Sequence, residues 1–333
     1  MGDVKELIQR LVEAWGPSGY EESVREILRT EVADGADEVR VDALGNLIVR
    51  RGKAGNGGIR VMLAAHMDEI GVMITHVDEK GFCRFTPIGG VNPLNLRGAR
   101  VQFRDGLVGV IGREEKAEGA PEISQMFIDV GATSREDCPV KVGDPAVFHR
   151  EFADLGKRLV AKAFDDRIGC AILVEVLRQL EDSPHEVVGV FTVQEEVGLR
   201  GAQTSAFGVQ PDLALAIDVT ATGDTPESHK RPMTLGAGPA IKVKDGGMLA
   251  HPRVKDLLVA TAERKGIPHQ LEVLEFGTTD AMAIQITRSG VPAGCVSIPT
   301  RYLHSPSEMI DYDDASNAVK LIVEFLRQPI ELA

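Results

Sequence analysis

Apolar residues at Val4, Leu7, Ile8, Leu11, Val12 and Trp15 recur every three or four positions, the spacing of one face of a helix. Gly16-Pro17-Ser18-Gly19 stops that pattern, and Val24, Ile27 and Leu28 predict a second helix starting near Glu21. Residues 39–50, VRVDALGNLIVR, alternate around Gly45-Asn46, which predicts two strands joined by a turn. Residues 59–65, IRVMLAA, form a short continuous apolar run ending at His66. Such a run predicts a strand buried on both faces, inside a sheet covered by helices.

From residue 70 to 155 the texture changes to short alternating stretches with closely spaced glycines: GVMITHV, GFCRFTPIGG, ARVQFRDGLVGVIG, MFIDVGA and PAVFH. Helical periodicity nearly vanishes there, so a small β-barrel or sandwich is expected. Strand-helix alternation then resumes, with a helix over DDRIGCAILVEVLRQLED and strands over EVVGVFTV, DLALAIDV, residues 270–275 and VPAGCVSIP. HPRVKDLLVATAERKG and DASNAVKLIVEFLRQ predict two further helices, and GLRGAQTSAFG a helix or loop. The expected fold class is therefore α/β, a mainly parallel sheet flanked by helices, with a β-rich domain inserted into it. The expected organisation is residues 1–69 and 156–333 as the two parts of one domain, with 70–155 as the insertion.

Composition narrows the partners. Of 333 residues, 43% are hydrophobic and 26% charged, and 37 Lys+Arg against 50 Asp+Glu give a net charge of −13. That surface repels nucleic-acid phosphates and anionic lipid headgroups, so neither nucleic acid nor membrane is an expected partner. No apolar run approaches the roughly 20 residues that span a bilayer, and the first residues lack the basic end and apolar stretch of a signal peptide. A cytoplasmic protein is expected. The four cysteines, Cys83, Cys138, Cys170 and Cys295, show no C-x-x-C spacing; they read as small apolar groups, and any metal must be held by nitrogen and oxygen.

Acids and imidazoles gather where the predicted elements end. His66 and Asp68 follow IRVMLAA, Asp165 and Asp166 precede the long helix, and Glu195 and Glu196 follow VVGVFTVQ. Asp218 ends DLALAID, and His304 follows VPAGCVSIP. Active sites of open α/β sheets lie beyond the carboxyl ends of such strands. Each element alone has an ordinary reading: H-x-D as a salt-bridged surface pair, Glu-Glu as a solvated helix face, Asp165-Asp166 as a helix N-cap. Their joint occurrence points instead to two divalent cations, which offset three carboxylates and a bridging water or hydroxide. Asp68, two positions beyond His66, is placed to accept the second ring N–H of that histidine. Of the two adjacent glutamates, one is free to bind metal while the other serves as a general base and then an acid. His76, His149, His185, His229, His251 and His269 lack such company and read as surface or packing residues. Gly89-Gly90, Gly236-x-Gly238 and Gly246-Gly247 read as turns, since none follows a strand as a dinucleotide fingerprint does.

HMDEIG (66–71), FDDRIG (164–169), QEEVGLRGA (194–202), AIDVTATGDTP (216–226), GTTDA (277–281) and IPTRYLHSPSE (298–308) resemble, in order, the tetrahedral metallo-aminopeptidase family. That family includes glutamyl, leucyl, lysyl and deblocking aminopeptidases, and some of its relatives carry the label endoglucanase. The resemblance implies a zinc-peptidase-like catalytic domain interrupted by a dimerisation domain, and removal of N-terminal residues from short peptides. It implies two divalent ions per subunit, zinc or cobalt, bridged by Asp165. His66 and Asp218 would complete one ion and Glu196 and His304 the other. Glu195 would be the general base on a bridging water, and Asp68 would orient His66. It further implies assembly of dimers into a hollow tetrahedral homododecamer. The chain departs from many relatives at residues 112–131, where a shorter, more acidic connection replaces a stretch bearing Pro-Pro-His.

Three other readings stay open at the level of sequence. Paired carboxylates also serve glycoside hydrolysis, although aromatics at 5% offer few sugar platforms. A peptide-binding scaffold could keep metals only for folding. Deacylases and carboxypeptidases of related fold use two metals as well, and Arg301 is a candidate to hold a terminal carboxylate in such an enzyme. Residues near Gly247, Phe276, Gly277 and Tyr302 are expected around the first-residue pocket, with acidic, aliphatic and basic preferences all open.

Overall fold

The periodic stretches at the start of the chain become α1 (Val4–Glu13) and α2 (Glu22–Glu31), followed by the hairpin β1 (Glu38–Val41) and β2 (Leu47–Arg51). The computed structural model of the protein describes residues 4–55, 57–228 and 232–332. The continuous apolar run is β3 (Arg60–His66). Next come β4 (Gly71–Val77), β5 (Cys83–Ile88), β6 (Arg100–Phe103), β7 (Val108–Arg113), β8 (Met126–Asp129) and β9 (Pro145–Phe148). The chain continues with β10 (Ala153–Asp154), β11 (Arg158–Ala161), α3 (Phe164–Gln179), β12 (Glu186–Thr192), α4 (Arg200–Val209) and β13 (Leu213–Ala221). It closes with β14 (Ala240–Lys244), α5 (Pro252–Lys265), β15 (Gln270–Val273), α6 (Asp280–Gln285), β16 (Ala293–Arg301), β17 (Glu308–Asp311) and α7 (Tyr312–Leu326).

One large sheet has the order β1-β2-β12-β3-β13-β16-β17-β11-β10, with β14 and β15 branching from β16. Its centre, β12-β3-β13-β16, is parallel, while the hairpin β1-β2 and the strands from β17 to β10 are added antiparallel. The α/β class with a mainly parallel core thus holds, in a mixed sheet. Burial of β3 on both faces explains its unbroken apolar sequence. Val61, Leu63 and Ala65 join the core with residues of α1, α3, α5 and α7. Met62 and Ala64 face the other way, into a core with Ala202 and Ala206 of α4 and Ile284 of α6. A sheet covered on both sides has no use for alternating polar residues.

Strands β4 to β9 close into a barrel in the order β4-β5-β8-β7-β6-β9. Its own core contains Val72, Ile74, Phe85, Val101, Phe103 and Phe148. The alternation read from the chain supplies these inward residues. Strand β10, only a few residues past β9, already belongs to the large sheet. Among the described residues no helix is long and apolar enough to cross a membrane.

The junction between barrel and sheet carries a buried ion cluster. Lys162 Nζ lies 2.8 and 2.7 Å from the two Glu69 carboxylate oxygens, and Arg167 Nη2 lies 3.4 Å from the first. All three side chains are buried. The Gly16 N–H also donates to Glu69 (3.2 Å), so one carboxylate ties the end of α1, the exit of β3 and the start of α3 together. Removing it leaves two buried cations with backbone carbonyls but without the carboxylate that balances their charge. Glu69→Ala is therefore expected to cost about 3–5 kcal/mol in urea unfolding; a loss below about 1 kcal/mol, the scale of an exposed pair, would show that the cluster does not bear on stability.

Candidate metal centre

Strand register brings the acids to one end of the sheet. Thr192 of β12 lies opposite His66 of β3, and Ala216 of β13 lies opposite Ala64, so Asp218 reaches the level of His66. Strand β13 runs on to Ala221, three residues past Asp218, rather than ending there. Asp165 and Asp166 open α3 with non-helical dihedrals, and the peptide bond between them is cis. Glu195 and Glu196 lie three and four residues beyond β12, and His304 lies three residues beyond β16 with φ +58°.

The Asp165 carboxylate stands between the two histidines: His66 Nε2 is 2.9 Å from Oδ1, and His304 Nε2 is 3.1 Å from Oδ2. Glu196 Oε1 lies 3.6 Å from His304 Nε2, and Glu195 Oε2 lies 4.0 Å from His66 Nε2. The adjacent glutamates thus turn to different histidines. Donor atoms of His66, Asp165 and Glu196 converge within 4.8 Å of one another, and so do those of His66, Asp166 and Asp218. This nitrogen and oxygen set suits divalent zinc-like ions. Glu196 Oε1 is buried without a hydrogen-bond partner, the mark of an acceptor shaped for something other than protein.

Each imidazole is held so that Nε2 faces inward. His304 Nδ1 lies 2.9 Å from the Gly90 carbonyl oxygen, which holds a proton on that nitrogen and leaves Nε2 to face the Asp165 carboxylate or a cation that displaces its proton. A Cβ on Gly90 would sit 2.4 Å from His304 Nδ1. The Gly89-Gly90 pair, read as a turn, is therefore the place where the barrel comes up against the site. His66 Nδ1 lies 3.2 Å from the Asp68 carbonyl oxygen and 3.4 Å from its carboxylate.

Asp68 does more than face His66. Its carboxylate accepts from Ser18 Oγ (2.6 Å) and from the backbone N–H groups of Glu195 (3.0 Å) and Glu196 (3.2 Å). The preceding N–H groups find similar partners, Gln194 on Glu21 Oε1 (3.1 Å) and Val193 on Asn46 Oδ1 (3.0 Å). Four consecutive amides of the glutamate turn are thus held by side chains from three distant segments. Glu308 joins the remaining two loops, accepting from the N–H of Asp165 (3.0 Å) and of His304 (3.0 Å). Asp166 accepts from the His66 N–H (3.1 Å) and from the Gly169 N–H (3.1 Å), so it caps the helix as well as lining the site. Glu21, Asn46 and Glu308 escape a reading of the sequence because their roles are to bind backbone amides, which no spacing announces, whereas the N-cap reading of Asp165-Asp166 is met by Asp166. Asp166 and Glu308 do lie inside motifs that the sequence singled out.

Burial and crowding set the protonation of the metal-free cluster. Burial, reinforced by the Asp165 charge, lifts the carboxyls of Glu196 and Glu308 to about 8 and that of Asp218 to about 7. Glu195 is raised well above the carboxylate range by burial and by the Asp218 and Glu196 charges, against the pull of His66. Burial disfavours the His304 cation, yet the Asp165 hydrogen bond and the Glu196 charge outweigh it and raise the imidazole to about 10. Asp165 resists its own burial, since the two imidazoles hold it below the usual range. Protons are doing the neutralising that cations would otherwise do.

Before the centre opens a cleft of about 700 Å³ whose wall includes Gly90 and Asn92 of the barrel, Leu199, Phe276, Gly277 and Leu303. Gly247 and Tyr302 do not form its wall: Gly247 is packed under Thr278 and Met282, and Tyr302 is 55% exposed. Arg301 is held by Asp224 through two contacts of 2.8 Å and is likewise absent from the wall, so it is not placed to hold the terminal carboxylate of a carboxypeptidase substrate. Of the other histidines, His185 is buried, its Nδ1 accepting from the Ile59 N–H (3.1 Å), and none of those described joins the cluster. His229 lies outside the described residues.

A family model described as M42 glutamyl aminopeptidase matches residues 45–321. An aminopeptidase structure from the archaeon Desulfurococcus kamchatkensis is 45% identical, with a TM-score of 0.94 over 98% of this chain and 95% of that one. The lysyl aminopeptidase of Pyrococcus furiosus is 37% identical over 97% of this chain and 96% of its own length. The TET1 peptidase of Pyrococcus horikoshii, a protein that can assemble into a tetrahedron or a large octahedral shell, is 35% identical with a TM-score of 0.87, covering 97% and 99% of the two chains.

Proposed function

The chain belongs to the M42 glutamyl aminopeptidase family, and from that premise we propose a dinuclear aminopeptidase in which Glu195 is the general base. The observation that carries this reading is the Asp165 carboxylate held between two inward-facing Nε2 atoms, 2.9 Å from one and 3.1 Å from the other. Asp165 would bridge two divalent ions, with His66 and Asp218 beside one and Glu196 and His304 beside the other. Zinc or cobalt suits that donor set. When bound, such ions supply charge compensation and a Lewis acid for the scissile carbonyl.

The chain's own residues do the rest. Glu195, close to His66 but not between the histidines, takes the proton of the attacking water and returns it to the departing amine. Asp68 keeps Glu195 and Glu196 apart by holding both of their amides, so one base and one ligand come from neighbouring positions. The excess of acid at the cleft floor favours the ammonium of a free N-terminus and disfavours a blocked one. Residues 1–69 and 156–333, joined in the sheet by β10, would form the catalytic unit, with the rest of 70–155 as the dimerisation barrel, acting on short peptides in the cytoplasm. Likeness to the horikoshii TET1 shell supports self-association of this chain into dimers and a tetrahedral dodecamer.

A peptide with a free N-terminus and its N-acetylated form separate the readings. The metal-loaded protein is expected to release the first residue of the free peptide, with turnover abolished by a chelator and restored by zinc or cobalt. Cleavage of the acetylated peptide at an equal rate would point to a deacylase or endopeptidase instead.

A further inference from the structure

Apart from the metal cluster and Glu195, the cleft wall contains one charged side chain among the described residues, Lys242 of β14. Lys242 lies in register with Glu272 of the parallel strand β15, and its Nζ is 3.3 Å from Glu272 Oε2. Both side chains are buried. Glu272 stands behind Lys242, outside the wall, and its other oxygen accepts the hydroxyl of Thr220. The remaining wall is uncharged: the apolar Leu199, Val219, Leu274, Phe276 and Leu303, with the hydroxyls of Thr220, Thr278 and Thr279.

Two consequences follow from that placement. A carboxylate reaching Lys242 would have to compete with Glu272 for its ammonium, after losing its own water. An ammonium would meet Lys242 as a like charge, with the compensating carboxylate shielded behind it. An aliphatic side chain meets neither difficulty and covers apolar wall.

We propose that the Lys242–Glu272 pair keeps the first-residue subsite electrically balanced, and so makes this enzyme select peptides that begin with an uncharged aliphatic residue. The inference rests on the aminopeptidase reading and deepens it. Glu272 is a specificity residue that acts through Lys242.

The test uses the metal-loaded protein with leucyl-, glutamyl- and lysyl-p-nitroanilide. The unaltered protein is expected to favour the leucyl substrate in kcat/KM by about 10²-fold, since a mismatched charge leaves buried polar groups unpaired. Glu272→Gln keeps the shape and frees the Lys242 charge; the glutamyl-to-leucyl ratio should rise about tenfold, chiefly through KM. Lys242→Met leaves the carboxylate, and the lysyl-to-leucyl ratio should rise by a similar factor. The double variant removes both charges and should keep the leucyl preference, so it decides the matter should either single variant fail to fold. Circular dichroism and metal content check each protein. An unaltered enzyme that prefers glutamyl or lysyl substrate overturns the proposal, as do single variants with unchanged ratios or a double variant that loses the leucyl preference. Failure of the loaded enzyme on all three substrates, and on free peptides, would instead remove the aminopeptidase reading beneath it.

Discussion

Glu195→Gln is expected to bind its full complement of metal and to lose roughly 10²- to 10⁴-fold in kcat, the usual span for removal of a general acid-base group. The amide has the size of the carboxylate and keeps the turn intact, because the amide N–H of residue 195 still donates to Asp68. What it lacks is proton affinity. In the metal-free protein that affinity is already high, since burial and the Asp218 and Glu196 charges hold the Glu195 carboxyl well above its ordinary range. A group so placed can accept a proton from water and still give it back to an amine. Glu196→Gln supplies the contrast. Its unpartnered oxygen faces His304, so weakening that donor should lower metal stoichiometry as well as rate. Metal analysis and kcat on a leucyl substrate, measured side by side, separate the two. Should Glu195→Gln retain kcat within about threefold, proton transfer by Glu195 would contribute less than the smallest effect expected of a general base, and the assignment would fail.

The two glutamates also show what can be read from sequence and what cannot. Strand ends are legible because burial on both faces leaves an unbroken apolar signature, and β3 and β12 carry one up to His66 and Thr192. Groups placed directly after such runs fall at one edge of a parallel sheet by register alone. The barrel is legible for the opposite reason: most of its strands have one wet face and so alternate, β9 being buried throughout. Strands β14 and β17 are not, being four or five residues long and defined by the partner they pair with rather than by their own pattern. The same limit hides Glu21, Asn46 and Glu308. Each binds the backbone of a segment more than a hundred residues away, and only the folded chain says which one. The sequence shows Gly45-Asn46 as a hairpin turn, and only the fold shows its asparagine accepting from the Val193 N–H. Gly90 gave the same outcome, a turn residue whose missing Cβ makes room for the His304 ring.

Stripping the metal is expected to abolish turnover and to leave a protein whose stability falls as pH rises from 5.5 to 8.5. The carboxyls of Glu196, Glu308 and Asp218 titrate at about 8, 8 and 7 in the folded metal-free chain, against about 4 when unfolded. A folded value above the unfolded one means that the folded state binds more protons, so this contribution is full below about pH 4 and is lost as pH rises through 7 to 8. His304, at about 10 when folded and about 6.5 when unfolded, has the same sign, its contribution fading as pH rises towards 10. Asp165, Asp224 and Glu31 are shifted downward and act in the opposite sense, but they are fully ionised by pH 5.5 and give no slope above it. The metal-free protein should therefore melt at lower temperature at pH 8.5 than at pH 5.5. Divalent ions displace the protons from their ligands, so the loaded protein gains more over the metal-free one as pH rises. At fixed pH each tenfold increase in free metal above its dissociation constant adds about 1.4 kcal/mol per independent site. Calorimetry at pH 5.5, 7.0 and 8.5, with and without zinc, reads both slopes. A metal-free melting temperature that climbs with pH, together with a zinc increment that does not change, would mean that these acids carry no shared proton load and do not form a cation site.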